Sequence, residues 1–193
     1  MAAGSSVAGS RARTRSDVIE NRQRIIEAAT DLLAGNPNAS MQEIADAADL
    51  NRATLYRHFP SREELVAAIH DAAVAAMRAL YLSLPTDGPV LPSLIELVGP
   101  AIEAGHRYRV LILTPIADSR RLIPEAQAVG LLAAAVHRAQ LAGEIDQRIN
   151  PVVAATNFSG QVLGAALLIA RGIVAPDEAI AQIRLALQKS LTA

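Results

Sequence analysis

The sequence predicts an all-α fold in two parts, a three-helix N-terminal unit and a longer helical C-terminal unit. Three observations carry that prediction. Apolar residues recur three and four positions apart along almost the whole chain; no segment alternates cleanly as a strand would; and proline, glycine and capping residues break the pattern at helix-length intervals.

Composition sets the outer bounds. The chain has 193 residues and is 51% hydrophobic, enough to bury a sizeable core and to exclude disorder over most of its length. Its 18 Lys+Arg and 19 Asp+Glu leave a formal net charge of -1. It has no cysteine, which removes disulfide scaffolds, thiolate zinc sites, iron–sulfur clusters and thiol catalysis, and fits a cytoplasmic protein. Small and polar residues follow Met1 with no apolar stretch behind them, so no secretory leader is expected.

The elements follow in order. Residues 1–14 read as a flexible basic arm carrying Arg11 and Arg13, with Arg15 just beyond. Val18, Arg22, Ile25, Ile26, Ala29, Leu32 and Leu33 then recur at helical spacing, their apolar members forming one buried face, until Gly35, Asn36 and Pro37 stop the helix. Ser40-Met41-Gln42-Glu43 has the form of a capping box and opens a second helix with Ile44, Ala45 and Ala48 inward. Asp49-Leu50 makes a tight turn, and Asn51 caps a third short helix in which Leu55 and Phe59 share a face. Pro60 ends it. Ser61-Arg62-Glu63-Glu64 is a second capping box, starting a long helix that can run from Arg62 to Leu84. At ~1.5 Å per residue it spans on the order of 34 Å.

Beyond Pro85 the chain also reads helical. Pro89 and Pro92 precede an apolar stretch interrupted by Pro100; a short segment runs from Arg107 to Thr114; Pro124 opens a helix ending near Gly143. Asn150-Pro151 caps another, which ends at Arg171-Gly172, and Pro176-Asp177-Glu178 begins the last. Val152 to Ala170 is apolar enough to suggest a membrane span, but Thr156, Asn157, Ser159 and Gln161 would be poorly satisfied in lipid. A buried interface helix is expected there, and no membrane partner.

Residues 40–59 thus have the spacing of a helix-turn-helix, whose second helix enters the DNA major groove. With Leu55 and Phe59 inward, Arg52, Ala53, Thr54, Tyr56, Arg57 and His58 fall outward or at the rim. Arginine can bond guanine bidentately, a threonine methyl can meet a thymine methyl, and tyrosine and histidine can donate to phosphates.

The run from Ile44 to Leu65, IADAADLNRATLYRHFPSREEL, resembles the DNA-binding region of the TetR family of transcriptional regulators. Ile44, Ala45, Ala48, Thr54, Leu55, Tyr56, His58, Phe59, Glu63, Glu64 and Leu65 carry the match. Ser40 and the first helix extend it from about Arg22 to Ile69. The C-terminal two-thirds resembles the family only in being helical and of suitable length. Asp49 stands where the turn usually has glycine, Arg62 where a phosphate-binding lysine is usual, and Leu33 where the first helix usually has phenylalanine. Asp tolerates positive φ, so the turn is expected to survive.

The resemblance implies a helix-turn-helix DNA-binding domain over 15–62 and an effector-binding and dimerisation domain over 63–193. It implies a homodimeric repressor of a near-palindromic double-stranded operator, released by a small effector. The DNA-binding set is then Ser40, Arg52, Ala53, Thr54, Tyr56, Arg57, His58 and Arg62. With three Tyr, two Phe and no Trp, the pocket is expected to be mainly aliphatic and the effector hydrophobic. Met77, Tyr81, His106, Tyr108, Asn157 and Gln161 are its candidate residues. His106-Arg107-Tyr108-Arg109 reads first as a polar helix start on the surface and second as a polar edge to the pocket. Asn157 and Gln161, one turn apart, could orient a ligand, bond across a dimer interface or satisfy each other.

Gly160 and Gly164 sit four apart, a spacing that lets helices approach closely. With Ile180, Ile183 and Leu187 on the last helix they are the expected dimer surface, a four-helix bundle in the family; the alternative is that these stripes pack only within the subunit. Residues 1–70 hold eight arginines and nine acids, so DNA binding must rest on segregated charge and a shallow salt slope is expected. His70, His106 and His137 share no metal-ligand spacing, nothing flags a nucleophile, and no phosphate loop is present, so no metal, no cofactor and no enzyme activity are expected. Two other readings stay open: a dimeric DNA-binding protein without an effector, and a core domain repurposed as an enzyme or adaptor.

Overall fold

The structure, a computed structural model, describes residues 5–109, 111 and 122–191, with side chains for 17–109, 111 and 126–191. Among the described residues all regular structure is helical: α1 (Ser5–Gly35), α2 (Met41–Ala47), α3 (Arg52–His58), α4 (Arg62–Leu82), α5 (Leu91–Glu96), α6 (Val98–Arg107), α7 (Leu122–Leu141), α8 (Pro151–Ala170) and α9 (Pro176–Leu191). The chain divides into two compact units, Met1–Ile69 and His70–Ala193, so the division falls within α4 rather than at its start. Residues 5–14, read from sequence as an arm, form the first turns of α1. The segment expected over Arg107–Thr114 lies partly outside the described residues.

In the first unit α1 packs on α2 and α2 on α3. Ile25, Ala29, Leu33, Ile44, Ala45, Leu55 and Leu65 are fully buried, and Phe59 nearly so. Val18 is 45% exposed, which corrects the expected stripe: the buried face of α1 begins at Ile25, on the part of the helix that packs against α2. Thr30 is buried on that face without cost because its hydroxyl donates to the Ile26 carbonyl at 2.7 Å.

The turn between α2 and α3 is a Schellman motif. The Leu50 amide donates to the Ala45 carbonyl at 2.9 Å and the Asp49 amide to the Asp46 carbonyl at 3.1 Å. Asp49 takes φ 53°, the left-handed conformation the turn demands. Ser61 caps α4 by accepting from the Glu64 amide at 3.2 Å, while the carboxylate that meets the Ser61 hydroxyl is that of Glu63.

In the second unit α8 packs against α6 and α7, and α9 against α5, α6 and α8. Val98, Ala101, Leu132, Ala135, Ala155 and Phe158 centre its core. Polar side chains fix the connections. Both Glu144 carboxylate oxygens cap α5, accepting from the Val90 and Leu91 amides at 3.0 and 2.8 Å. The buried Gln140 amide donates to the carbonyls of Asp146 and Ile149. Asn150 caps α8 through its Oδ1, with Pro151 at the first helical position. Two helices, α4 and α8, are long and apolar enough to cross a membrane by length and composition.

Candidate functional site

Two features stand out, an exposed helix face in the first unit and a cavity in the second. On the first, α3 is aimed by its caps. Asn51 Oδ1 accepts from the Thr54 amide at 2.8 Å, and α2 before it carries a full capping box: the Ser40 amide donates to Glu43 Oε2 at 2.7 Å and the Glu43 amide donates to Ser40 Oγ at 3.2 Å. Those bonds hold the Glu43 carboxyl below its ordinary 4.5.

Leu55 and Phe59 point inward as the spacing predicts. Arg52, Ala53 and Arg57 are exposed, and Thr54, Tyr56 and His58 sit half-buried at the rim. The Arg52 guanidinium lies 5.2 Å from the Tyr56 ring centroid and donates to its hydroxyl at 3.5 Å, so the two side chains are held together along one face of α3. Arg22 stacks on the other anchor, 4.8 Å from the centroid of Phe59. Burial first, then the charges of Arg57 and Arg22, hold the His58 imidazole below its ordinary 6.5.

Arg62 departs from its expected place at the phosphates. Its guanidinium donates to the carbonyls of Ala39 and Pro37 at 2.5 and 2.6 Å, tying the start of α4 to the loop before α2. The planar fork of arginine reaches two carbonyls at once, which is why the residue is structural here.

The second unit holds a cavity of about 320 Å³. That volume lies within the ~300–1,000 Å³ of small-molecule pockets. Met77, Tyr81 and Tyr108, three of the six expected residues, line it. His106, Asn157 and Gln161 do not. The His106 carbonyl accepts from Arg109 at 2.9 Å, Asn157 is exposed on α8, and Gln161 is half-buried off the cavity wall.

Sequence reasoning missed His70 and Ser159 as lining residues. Both had a signal: His70 continues the stripe Val74, Met77, Tyr81 along α4, and Ser159 shares the inner face of α8 with Ala155 and Val162. Tyr81 is 4% exposed, and burial pushes its hydroxyl above 10.0 against the opposing effect of a hydrogen bond with Ser159. Ser159 in turn donates to the Ala155 carbonyl at 3.1 Å. Gly105 brings α6 close to α8: a Cβ there would lie 3.3 Å from Ala166 Cβ and 3.5 Å from Val162 Cγ1.

The expected dimer residues separate. Gly160 and Gly164 lie on α8 with nothing among the described residues within 4 Å of an added Cβ, beside exposed Val153, Leu163 and Leu168. Ile180 and Ile183 pack partly against the core, and Leu187, 5% exposed, is buried in it. Leu187 is therefore corrected to an intramolecular role, because its face of α9 meets α5, α6 and α8.

A helix-turn-helix unit with polar and cationic side chains on its second helix, joined to a helical unit with an apolar cavity, defines a class of DNA-binding proteins. Residues 25–69 match the family model described as bacterial regulatory proteins, tetR family. The matched residues lie within the first unit. The HTH-type transcriptional repressor LfrR of Mycolicibacterium smegmatis (strain ATCC 700084 / mc(2)155) is 35% identical over 101 residues, 50% of this chain and 48% of that protein. The match thus spans about half the length of this curated relative.

Solved structures share the fold. LfrR from Mycobacterium smegmatis in complex with proflavine has a TM-score of 0.70 at 23% identity, covering 90% of this chain and 97% of that one. A putative TetR-family regulator from Rhodococcus sp. has 0.73 at 20%, covering 88% and 97%. AibR in complex with isovaleryl coenzyme A and operator DNA has 0.65 at 22%, covering 89% and 100%.

Proposed function

We propose that this protein is a ligand-responsive transcriptional repressor that binds a near-palindromic operator as a homodimer and is released by a small hydrophobic effector. The observation that carries the reading is the α3 face, where Arg52, Tyr56 and Arg57 stand outward over the buried anchors Leu55 and Phe59. Arg57 reads base edges or phosphates, the Arg52–Tyr56 pair positions α3 on the backbone, and Ser40, Ala53, Thr54 and His58 flank them. Two copies of α3 must sit about one helical turn of DNA apart, ~34 Å, to enter successive grooves.

The cavity supports the effector. Its walls come from α4, α6, α7 and α8, and α4 carries residues of both units, so a ligand there meets an element that also belongs to the DNA-binding unit. The effector acts by preferring a state with wrongly spaced recognition helices; shifting such an equilibrium from 1:99 to 99:1 needs about 5.5 kcal/mol of differential binding. LfrR with proflavine and AibR with an acyl coenzyme A are relatives in fold whose structures hold small molecules.

The test is selection of bound duplexes from a random pool with purified protein. Enrichment of an inverted repeat is the expected result, and it supplies the operator for effector screening. Failure of folded protein to enrich any sequence at low salt overturns the reading.

A further inference from the structure

Arg22 is a charged residue on an apolar stripe. It keeps the spacing of Ile25, Ile26, Ala29 and Leu33, so it points to the packed side of α1, yet it is exposed. Its guanidinium lies 4.8 Å from the centroid of the Phe59 ring, the residue that caps the end of α3. Stacking holds the cation in place but gives its N–H donors no acceptor oxygen. Among the described residues no carboxylate pairs with Arg22.

Charge is segregated around it. At about 100° per residue, the acids of α1, Asp17, Glu20, Glu27 and Asp31, all lie roughly 140° or more from Arg22 around the helix. Arg24 falls among those acids; Arg22 does not. It joins a cationic group at the C-terminal end of α3, where Arg57 is exposed and the charges of both arginines reach His58.

That end of α3 is where a backbone contact belongs. In a helix-turn-helix the N-terminal residues of the second helix meet base edges, and the far end of a recognition helix can reach the sugar-phosphate backbone. Arg62 is the cation that the sequence offers there, but its guanidinium is committed to the carbonyls of Ala39 and Pro37. Arg22 stands at the same junction, since only Pro60 and Ser61 separate Phe59 from Arg62.

Resting on the reading of α3 as the recognition helix, we propose that Arg22 is a DNA contact supplied from outside the helix-turn-helix: its guanidinium, carried on the Phe59 ring, donates to a backbone phosphate beside the C-terminal end of α3. The contact adds affinity without sequence preference, because the phosphate is the same at every base pair.

The experiment uses the full chain and two duplexes, one enriched by wild type from a random pool and one of unrelated sequence, with binding measured between about 50 and 200 mM salt. Arg22→Gln is expected to weaken both duplexes by a similar factor, about tenfold per protomer at the low-salt end, the scale of one charged hydrogen bond. The slope of log affinity against log salt is expected to become shallower by about 0.9 per protomer bound. Arg22→Lys, which keeps the charge, is expected to keep the slope.

A slope unchanged in Arg22→Gln overturns the proposal, and a lowered urea midpoint with that result leaves Arg22 as a prop for Phe59. A slope lost equally in Arg22→Lys, or weakening confined to the enriched duplex, also overturns it. Wild type that enriches no duplex overturns the recognition-helix reading as well. Should Arg22→Gln fail to fold by circular dichroism, Arg22→Met, which packs on the ring without charge, is measured in its place.

Discussion

Tyr56 shows how one residue serves both chemistry and geometry. Its ring carries the Arg52 guanidinium and its hydroxyl receives an Arg52 proton, so removing the side chain frees a cation as well as deleting a contact. Tyr56→Ala is expected to weaken operator binding more than about tenfold, the worth of one to two good contacts, with the dimer intact by sedimentation. Unchanged binding would place the recognition face elsewhere. Asp49 holds φ 53° where a side chain is strained, and glycine has no Cβ to strain. Asp49→Gly is expected to raise unfolding free energy in urea by about 1 kcal/mol. Arg62→Ala should lower it by about 2 kcal/mol, since two carbonyls of the loop before α2 lose a charged donor.

At the scale of elements, the helix-turn-helix was legible because its signals are local. Ser40 with Glu43, Asn51 with Thr54, and Leu55 with Phe59 lie within four residues of each other, so spacing alone predicts their contacts. The cavity was half legible. Met77, Tyr81 and Tyr108 are apolar or aromatic residues at plausible places, but which face of α8 turns inward depends on α6 and α7, far off in sequence. Asn157 and Gln161 attracted attention as polar residues on an apolar helix, yet the inner polar residue is Ser159, small enough to bond its own helix at Ala155. Arg62 misled because a cation after a recognition helix suggests phosphate, and its two carbonyl partners lie more than twenty residues earlier.

Two predictions belong to elements. Glu43 has its carboxyl held low by Ser40, so its share of stability is present above the unfolded value near 4.5 and is lost as pH falls through the lower folded value. The urea midpoint of Glu43→Gln should therefore fall below wild type at neutral pH, and the gap should close as pH drops below 4.5. On α6, Gly105→Ala must push against Ala166 and Val162 at a junction that also lines the cavity. A stability loss of about 1 kcal/mol and weaker binding of bulky probes are expected, measured by melting and dialysis.

For the whole molecule, the open face of α8 is the informative surface. A Cβ added at Gly160 or Gly164 meets nothing within 4 Å among the described residues, so a larger side chain there is expected to leave the protomer undisturbed. Gly164→Leu should shift sedimentation toward monomer without lowering helicity; a stable dimer would move the interface elsewhere. Val152, Val153, Leu163 and Leu168 are all exposed along that helix, and Ile173 and Leu185 follow on the connection and on α9. A chain alone in water leaves this greasy strip uncovered, and greasy strips attract chaperones, proteases and each other. Under the proposed pairing of two chains through this strip, each shelters the other, and the protein's lifetime is expected to rise with its own concentration.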